Sequence, residues 1–263
     1  MSFTKIALVT GGSKGIGAAT AVKLHFFQLA RLSSHAVSLQ VALAKAGWEA
    51  IAINYSSDTA GAEQVIAEIQ QTTSAKAKAF KADISTVAAC DKLVADVVAQ
   101  FGGLTLVVHS AGIMKLKPIL ANSEADFDMH FNLNVKAPFF LSKAVIPSAA
   151  ICTHYSQTAA SATQPPYIVY NSTKGAVEQM SRSLSKELGP KGIRVNTVSP
   201  GPTNTALFLE GKSEAMVKGI AAMSPFNRLG ESEEIANVIT FMASDKAGWV
   251  SGQNLRINGA FVV

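Results

Sequence analysis

Thr10-Gly11-Gly12-Ser13-Lys14-Gly15-Ile16-Gly17 follows directly on the short apolar run Lys5–Val9 and leads into Ala18–Leu24, which reads as a helix. A strand that turns through glycines into a helix is where a dinucleotide's pyrophosphate is held. The glycines let the backbone turn tightly and approach the phosphates, and the helix N-terminus presents N–H donors and the positive end of its dipole. A purely structural turn would use the same glycines. No Gly-Lys-Ser/Thr closes the stretch, so it is not a triphosphate loop of the Walker kind.

Downstream, short apolar runs alternate with amphipathic ones. Ala50–Tyr55, Lys76–Asp83, Leu104–His109, Ile151–Ser156, Ile193–Val198 and Asn254–Asn258 read as strands. Ala62–Ile69, Leu93–Phe101, Phe127–Ala144 and Tyr167–Leu188 read as helices, with a kink expected at Pro138 and a stop at Gly189-Pro190. With Lys5–Val9 this predicts an α/β, Rossmann-like, doubly wound, seven-stranded parallel sheet with helices on both faces. No repeat, low-complexity tract or linker divides the chain, so residues 1–263 read as one dinucleotide-binding catalytic domain.

The 263 residues are 48% hydrophobic and 16% charged, enough apolar material for a deep core and too little charge for a disordered chain. The formal net charge of +5 is modest, and no Lys/Arg run or aromatic-interleaved basic stripe points to nucleic acid. Cys90 and Cys152 cannot build a disulfide framework, and no His/Cys cluster has zinc spacing, so no metal is expected. The N-terminal run meets glycine too early for a signal peptide, and no apolar run approaches the ~20 residues that cross a membrane. A cytoplasmic setting is the expectation.

Tyr170 and Lys174, in Val169-Tyr-Asn-Ser-Thr-Lys-Gly-Ala176, stand one helical turn apart on one face. An ammonium beside a phenol lowers the phenol's pKa, which makes the pair a candidate general acid/base. The same spacing also fits a solvated helix face.

The glycine stretch near residue 10 and the Tyr-x-x-x-Lys near residue 170 together resemble the short-chain dehydrogenase/reductase family, in its compact single-domain branch. Val108-His-Ser-Ala-Gly112 is similar to the family's Asn-Asn-Ala-Gly segment, and Asn132-Leu-Asn-Val135 to its asparagine-bearing helix. Ser199-Pro-Gly-Pro-Thr203, Ser251-Gly-Gln253 and Asn258-Gly259 resemble its later loops, so the likeness spans the chain in order.

This resemblance implies hydride exchange between NAD(P)(H) and a carbonyl or secondary alcohol, 3-oxoacyl or polyketide-type ketones included. Tyr170 would be the acid/base, Lys174 would tune it and hold the nicotinamide ribose, and Asn134 would hold a relay water. The family's substrate-polarising serine falls at Gln157, between Ser156 and Thr158, and Ser156 is chosen because it closes the apolar run Ile151–Tyr155. Cofactor contacts would come from Gly11, Ser13, Lys14, Gly15, Ile16 and Gly17, from Asn54, Tyr55 and Ser56, and from Asp83 and Ile84 at the adenine. Ser110, Ala111, Gly112, Tyr170, Lys174, Pro200, Gly201 and Thr203 complete the set, Thr203 on the nicotinamide amide. An acid at the end of the second strand would repel a ribose 2′-phosphate. Here that end is Asn54-Tyr55-Ser56-Ser57, Lys14 adds a cation, and only the later Asp58 opposes NADP(H) over NAD(H). A homotetramer or dimer is the family's habit.

Two departures stand out. From Gly17 to Asn54 is 54 − 17 = 37 residues, where about 20 are expected. The excess maps to His25–Leu43, read either as an insertion or as a translated intron. The stretch Asn134–Ser156 is a few residues short for the family. These irregularities leave a second reading open, a nucleotide-binding but catalytically impaired homologue acting as sensor or scaffold. The apolar residues Leu207, Phe208, Leu209, Met216 and Met223 in Ala206–Met223 read as a lid over an apolar or aromatic ketone.

Overall fold

The computed structural model describes residues 4–18, 48–146 and 165–263, and the backbone of 151–155. The strands are β1 (Ile6–Thr10), β2 (Ala50–Tyr55), β3 (Lys76–Lys81), β4 (Leu106–His109), β5 (Ile151–Tyr155), β6 (Arg194–Pro200) and β7 (Asn254–Ile257). They form one sheet in the order β3-β2-β1-β4-β5-β6-β7, every neighbour parallel. The helices are α1 (Thr59–Thr72), α2 (Val87–Phe101), α3 (Glu124–Phe131), α4 (Ala137–Val145), α5 (Ile168–Leu188), α6 (Ala206–Leu209), α7 (Glu214–Ala221) and α8 (Ser232–Ala243). A further helix opens at Gly15.

Side chains alternate across the sheet, and both sets are buried. Ala7, Val9, Ile51 and Ile53 pack with Val65 and Ile69 of α1 and with Ile235, Ile239 and Met242 of α8. Ile6, Leu8, Ala50 and Ala52 pack with Leu93, Val94 and Val97 of α2 and with Leu141 and Val145 of α4. Helices on both faces explain why β1 and β2 read as continuous apolar runs rather than alternating ones. The strand order reverses direction between β1 and β4, so a crevice opens beyond their carboxyl ends, where open α/β sheets bind ligands.

The expected helix Phe127–Ala144 is interrupted earlier than Pro138. α3 ends at Phe131, a π-helical turn occupies Asn132–Lys136, and Pro138 sits in the first turn of α4. Proline has no N–H to give the carbonyl four residues back, that of Asn134. The ladder therefore breaks ahead of the proline, and the wider turn carries Asn134 with it. Residues 25–43, and with them the insertion, lie outside the described residues, as does Ser156.

Ala260, after Gly259 in the C-terminal turn, is exposed and held at φ 55. That left-handed conformation costs a residue with a Cβ about 1 kcal/mol. Ala260→Gly is expected to stabilise the protein by roughly 1 kcal/mol, read as a higher urea midpoint at unchanged slope.

Candidate active site

Three strand ends and the glycine loop converge on the crevice. The Thr10 hydroxyl is buried and accepts the N–H groups of Ser110 and Ala111, both at 3.1 Å, which ties the end of β1 to the chain leaving β4. Gly11 has φ +62, and a Cβ there would stand 2.9 Å from Ala111 Cα. A Cβ on Gly17 would come within 2.3 Å of the Gly11 carbonyl oxygen. Only hydrogen fits at either position, so the helix N-terminus can close on the strand end.

The crevice is a cavity of about 640 Å³. Its wall brings together Gly11, Ser13, Lys14, Gly15, Ile16 and Gly17, then Asn54, Tyr55 and Ser56, then Asp83 and Ile84, then Ser110, Ala111 and Gly112. Sequence reasoning missed Leu133 and Thr205 on the same wall, and read Ala206 and Leu207, also on it, only as part of a substrate lid. Leu133 and Thr205 belong to no glycine or strand-end motif and arrive only through tertiary folding. Asn54 lines the cavity but its amide donates to Phe80 O at 3.3 Å and Ala82 O at 3.1 Å, so it also clamps β2 to the end of β3. Asp58 is the N-cap of α1, accepting Gly61 N–H at 3.0 Å, and its other oxygen lies 3.8 Å from Lys14 Nζ.

The π-helical turn aims Asn134 at the chain after β4. Asn134 Oδ1 accepts Ile113 N–H at 2.9 Å, while Nδ2 donates to Ile113 O at 3.0 Å and to Thr173 Oγ1 at 3.2 Å. A Cβ on Gly112 would stand 3.2 Å from Asn134 Oδ1 and 3.8 Å from Lys174 Nζ. The asparagine and the lysine thus both approach a glycine of the cavity wall. Lys174 Nζ lies 5.3 Å from the Tyr170 ring centroid, and both side chains are buried.

Their electrostatics differ from the sequence expectation. Burial pushes the Tyr170 phenol well above its ordinary value, with Tyr167 adding to the rise. Burial lowers Lys174 from 10.5 to about 8. Desolvation outweighs the ammonium's pull on the phenol, because α5 packs the pair inside the fold rather than on a solvated face.

A second cavity of about 600 Å³ shares Ile113, Leu207 and Glu210 with the first; Met114, Leu116, Tyr167, Met216 and Ile220 line it too, as do the cations Lys115 and Lys212. Leu207 and Met216 of the expected lid line it, Phe208 is buried, and Met223 is exposed. Pro200, Gly201 and Thr203 lie outside the wall of the first cavity; Thr203 is buried and donates to Gly201 O at 2.8 Å.

Fold and site define a dinucleotide-binding α/β enzyme with a buried Tyr/Lys pair beside the cofactor crevice. The family model for enoyl-(acyl carrier protein) reductase matches residues 30–261. The short chain dehydrogenase/reductase nsrJ of Aspergillus novofumigatus is 34% identical over 270 residues, covering 97% of this chain and 94% of its own. Versicolorin reductase 1 of Aspergillus parasiticus is 32% identical over 270 residues, covering 97% and 95%. The solved angucycline C-6 ketoreductase LanV with bound NADP superposes with a TM-score of 0.84 at 28% identity, covering 98% of this chain and 95% of that one. The chain belongs to the short-chain dehydrogenase/reductase family and is an NAD(P)-dependent oxidoreductase.

The lysine leaves a signature in stability. Between pH 8 and 10.5 the unfolded chain holds a proton on Lys174 that the folded protein has released, so stability rises with pH across that window. Above pH 10 Tyr170 works the other way, because the folded phenol keeps a proton the unfolded one has lost. Lys174→Met is expected to stabilise the cofactor-free protein at neutral pH by on the order of 2 kcal/mol and to flatten the rise above pH 8. Urea unfolding of both proteins across pH checks it.

Proposed function

We propose that the protein is a single-domain, NADPH-dependent ketone reductase with Tyr170 as its proton donor. The approach of both Asn134 Oδ1 and Lys174 Nζ to Gly112, next to Ile113, which lines both cavities, carries this reading. The cofactor, when bound, supplies the hydride. The first cavity offers the glycine loop and helix N-terminus to phosphates, Asp83 and Ile84 to the adenine, and Ser110 to the ribose. Thr203 still has lone pairs to accept a nicotinamide amide.

A raised phenol pKa suits this direction. Tyr170 stays protonated through the neutral range, which is the form that can give a proton to a carbonyl oxygen. Lys174, still cationic below about pH 8, stands close enough to favour the phenolate left behind. Asn134 has spent its side-chain amide on Ile113 and Thr173. A relay water there would sit on its main-chain carbonyl, which Pro138 cannot occupy. Ser156 is proposed to polarise the carbonyl.

Preference for NADP(H) rests on a neutral β2 end and on Asp58, whose charge is committed to the α1 cap and to Lys14. LanV, named with bound NADP, is consistent with it. The substrate we propose is an aromatic polyketide-type ketone, from the Met, Leu and Ile side chains of the second cavity, which Lys115, Glu210 and Lys212 also line, and from the names of versicolorin reductase and LanV. A cytoplasmic homotetramer completes the proposal, supported by the two-cysteine composition and the family's habit. Among the described residues no helix is long and apolar enough to cross a membrane.

NADPH consumption with a panel of aromatic and aliphatic ketones tests the reading. Tyr170→Phe is expected to lower kcat by roughly a thousandfold while NADPH still binds. Equal rates for wild type and variant on every ketone, or NADPH binding without turnover by wild type, would overturn it. Lys14→Ala is expected to weaken NADPH binding about tenfold, ~1.4 kcal/mol, and to leave NADH binding nearly unchanged. Fluorescence titration with each nucleotide measures this.

A further inference from the structure

One wall of the second cavity is residues 113–116, part of a length of chain outside the sheet, 113–117, with every other amide tethered. Ile113 N–H donates to Asn134 Oδ1 at 2.9 Å, Lys115 N–H to His130 Nε2 at 3.1 Å, and Lys117 N–H to Pro166 O at 3.1 Å. Met114 and Leu116, the residues between, line the cavity together with Ile113 and Lys115. Asn134 and His130 are one helical turn apart, so one helix face supplies two successive rungs to this chain.

His130 is fully buried, and its partners dictate its tautomer. Nδ1 lies 2.7 Å from Asp126 O, which can only accept, so the proton is on Nδ1. Nε2 then offers a lone pair to the Lys115 N–H, which can only donate. The ring is neutral with both nitrogens used, and nothing in the Tyr170 chemistry employs it.

We propose that His130 is a positioning residue for the substrate. It holds the main chain of Lys115, and through it the Met114 and Leu116 wall, at a fixed distance from the Asn134 anchor. The side of the ketone away from the cofactor rests on that wall. The inference depends on the ketone-reductase reading for what occupies the cavity, but the tether itself can be tested without turnover.

His130→Leu removes the acceptor and keeps an apolar side chain of similar bulk. His130→Gln keeps an acceptor that can reach the same amide. Leucine is expected to raise KM for a reduced ketone about tenfold, the worth of one hydrogen bond, with kcat and NADPH affinity close to wild type. Glutamine should restore most of that loss. Hydrogen exchange of the Lys115 amide, followed by NMR, should accelerate about tenfold in the leucine variant and recover in the glutamine one. Nitrogen shifts of the His130 ring should report the Nδ1–H form. Unchanged KM and unchanged exchange in His130→Leu would overturn the inference. A parallel loss of KM, NADPH affinity and thermal stability with no rescue by glutamine would also overturn it, reducing His130 to a core residue. If wild type reduces no ketone, the reductase reading fails, and the exchange measurement still decides whether His130 holds the wall.

Discussion

Hydrogen in place of Cβ at Gly11 and Gly17 is the constraint on which the site hangs. The Gly17 position lies so close to the Gly11 carbonyl oxygen that any side chain would push the helix away from the end of β1. With the helix seated, its N-terminal amides face the crevice, and Thr10 can draw in the chain leaving β4. Gly112 and Ile113 follow on that chain, and Asn134 grips Ile113 by both main-chain groups. The phosphate end and the reaction end are therefore one continuous piece of packing, joined by hydrogen bonds that each span a long loop of sequence.

The reaction end trades stability for chemistry. Burying a lysine and a tyrosine together costs free energy, because each loses water that its charged form needs. Among the described residues no carboxylate is recorded beside Lys174 to offset that cost, and its pKa falls accordingly. In the proposed reaction the gain is a dry site in which a nearby cation would act strongly on charge as it develops on the phenol. Function concentrates such strained electrostatics where a purely structural protein would place a leucine.

Much of this was legible from residues alone. The glycine loop after an apolar run, the neutral end of β2, and Tyr170 four residues before Lys174 are local patterns; the fold sets the first two on the crevice wall and buries the pair on α5. The break at residues 132–136 was misplaced to Pro138, because a proline is visible in sequence while the carbonyl it leaves unserved lies a turn earlier. The direction of the Tyr170 shift was also misjudged. Spacing shows that two groups are close, but not how much water reaches them. His130 carried no motif at all. Its meaning comes from a backbone amide 15 residues away.

The sequence by itself determined the parallel doubly wound sheet, the nucleotide crevice and the family, because periodicity, glycine freedom and proline's missing N–H act over a few neighbouring residues. Only the tertiary structure decided which side chains spend their hydrogen bonds on the scaffold and which remain for a ligand. It turned Asn54 toward β3, Asp58 into a helix cap, Asn134 and His130 into anchors for residues 113–117, and Tyr170 into a buried phenol with a raised pKa. Desolvation and partner choice depend on atoms brought together from distant parts of the chain, and those distances exist only after folding.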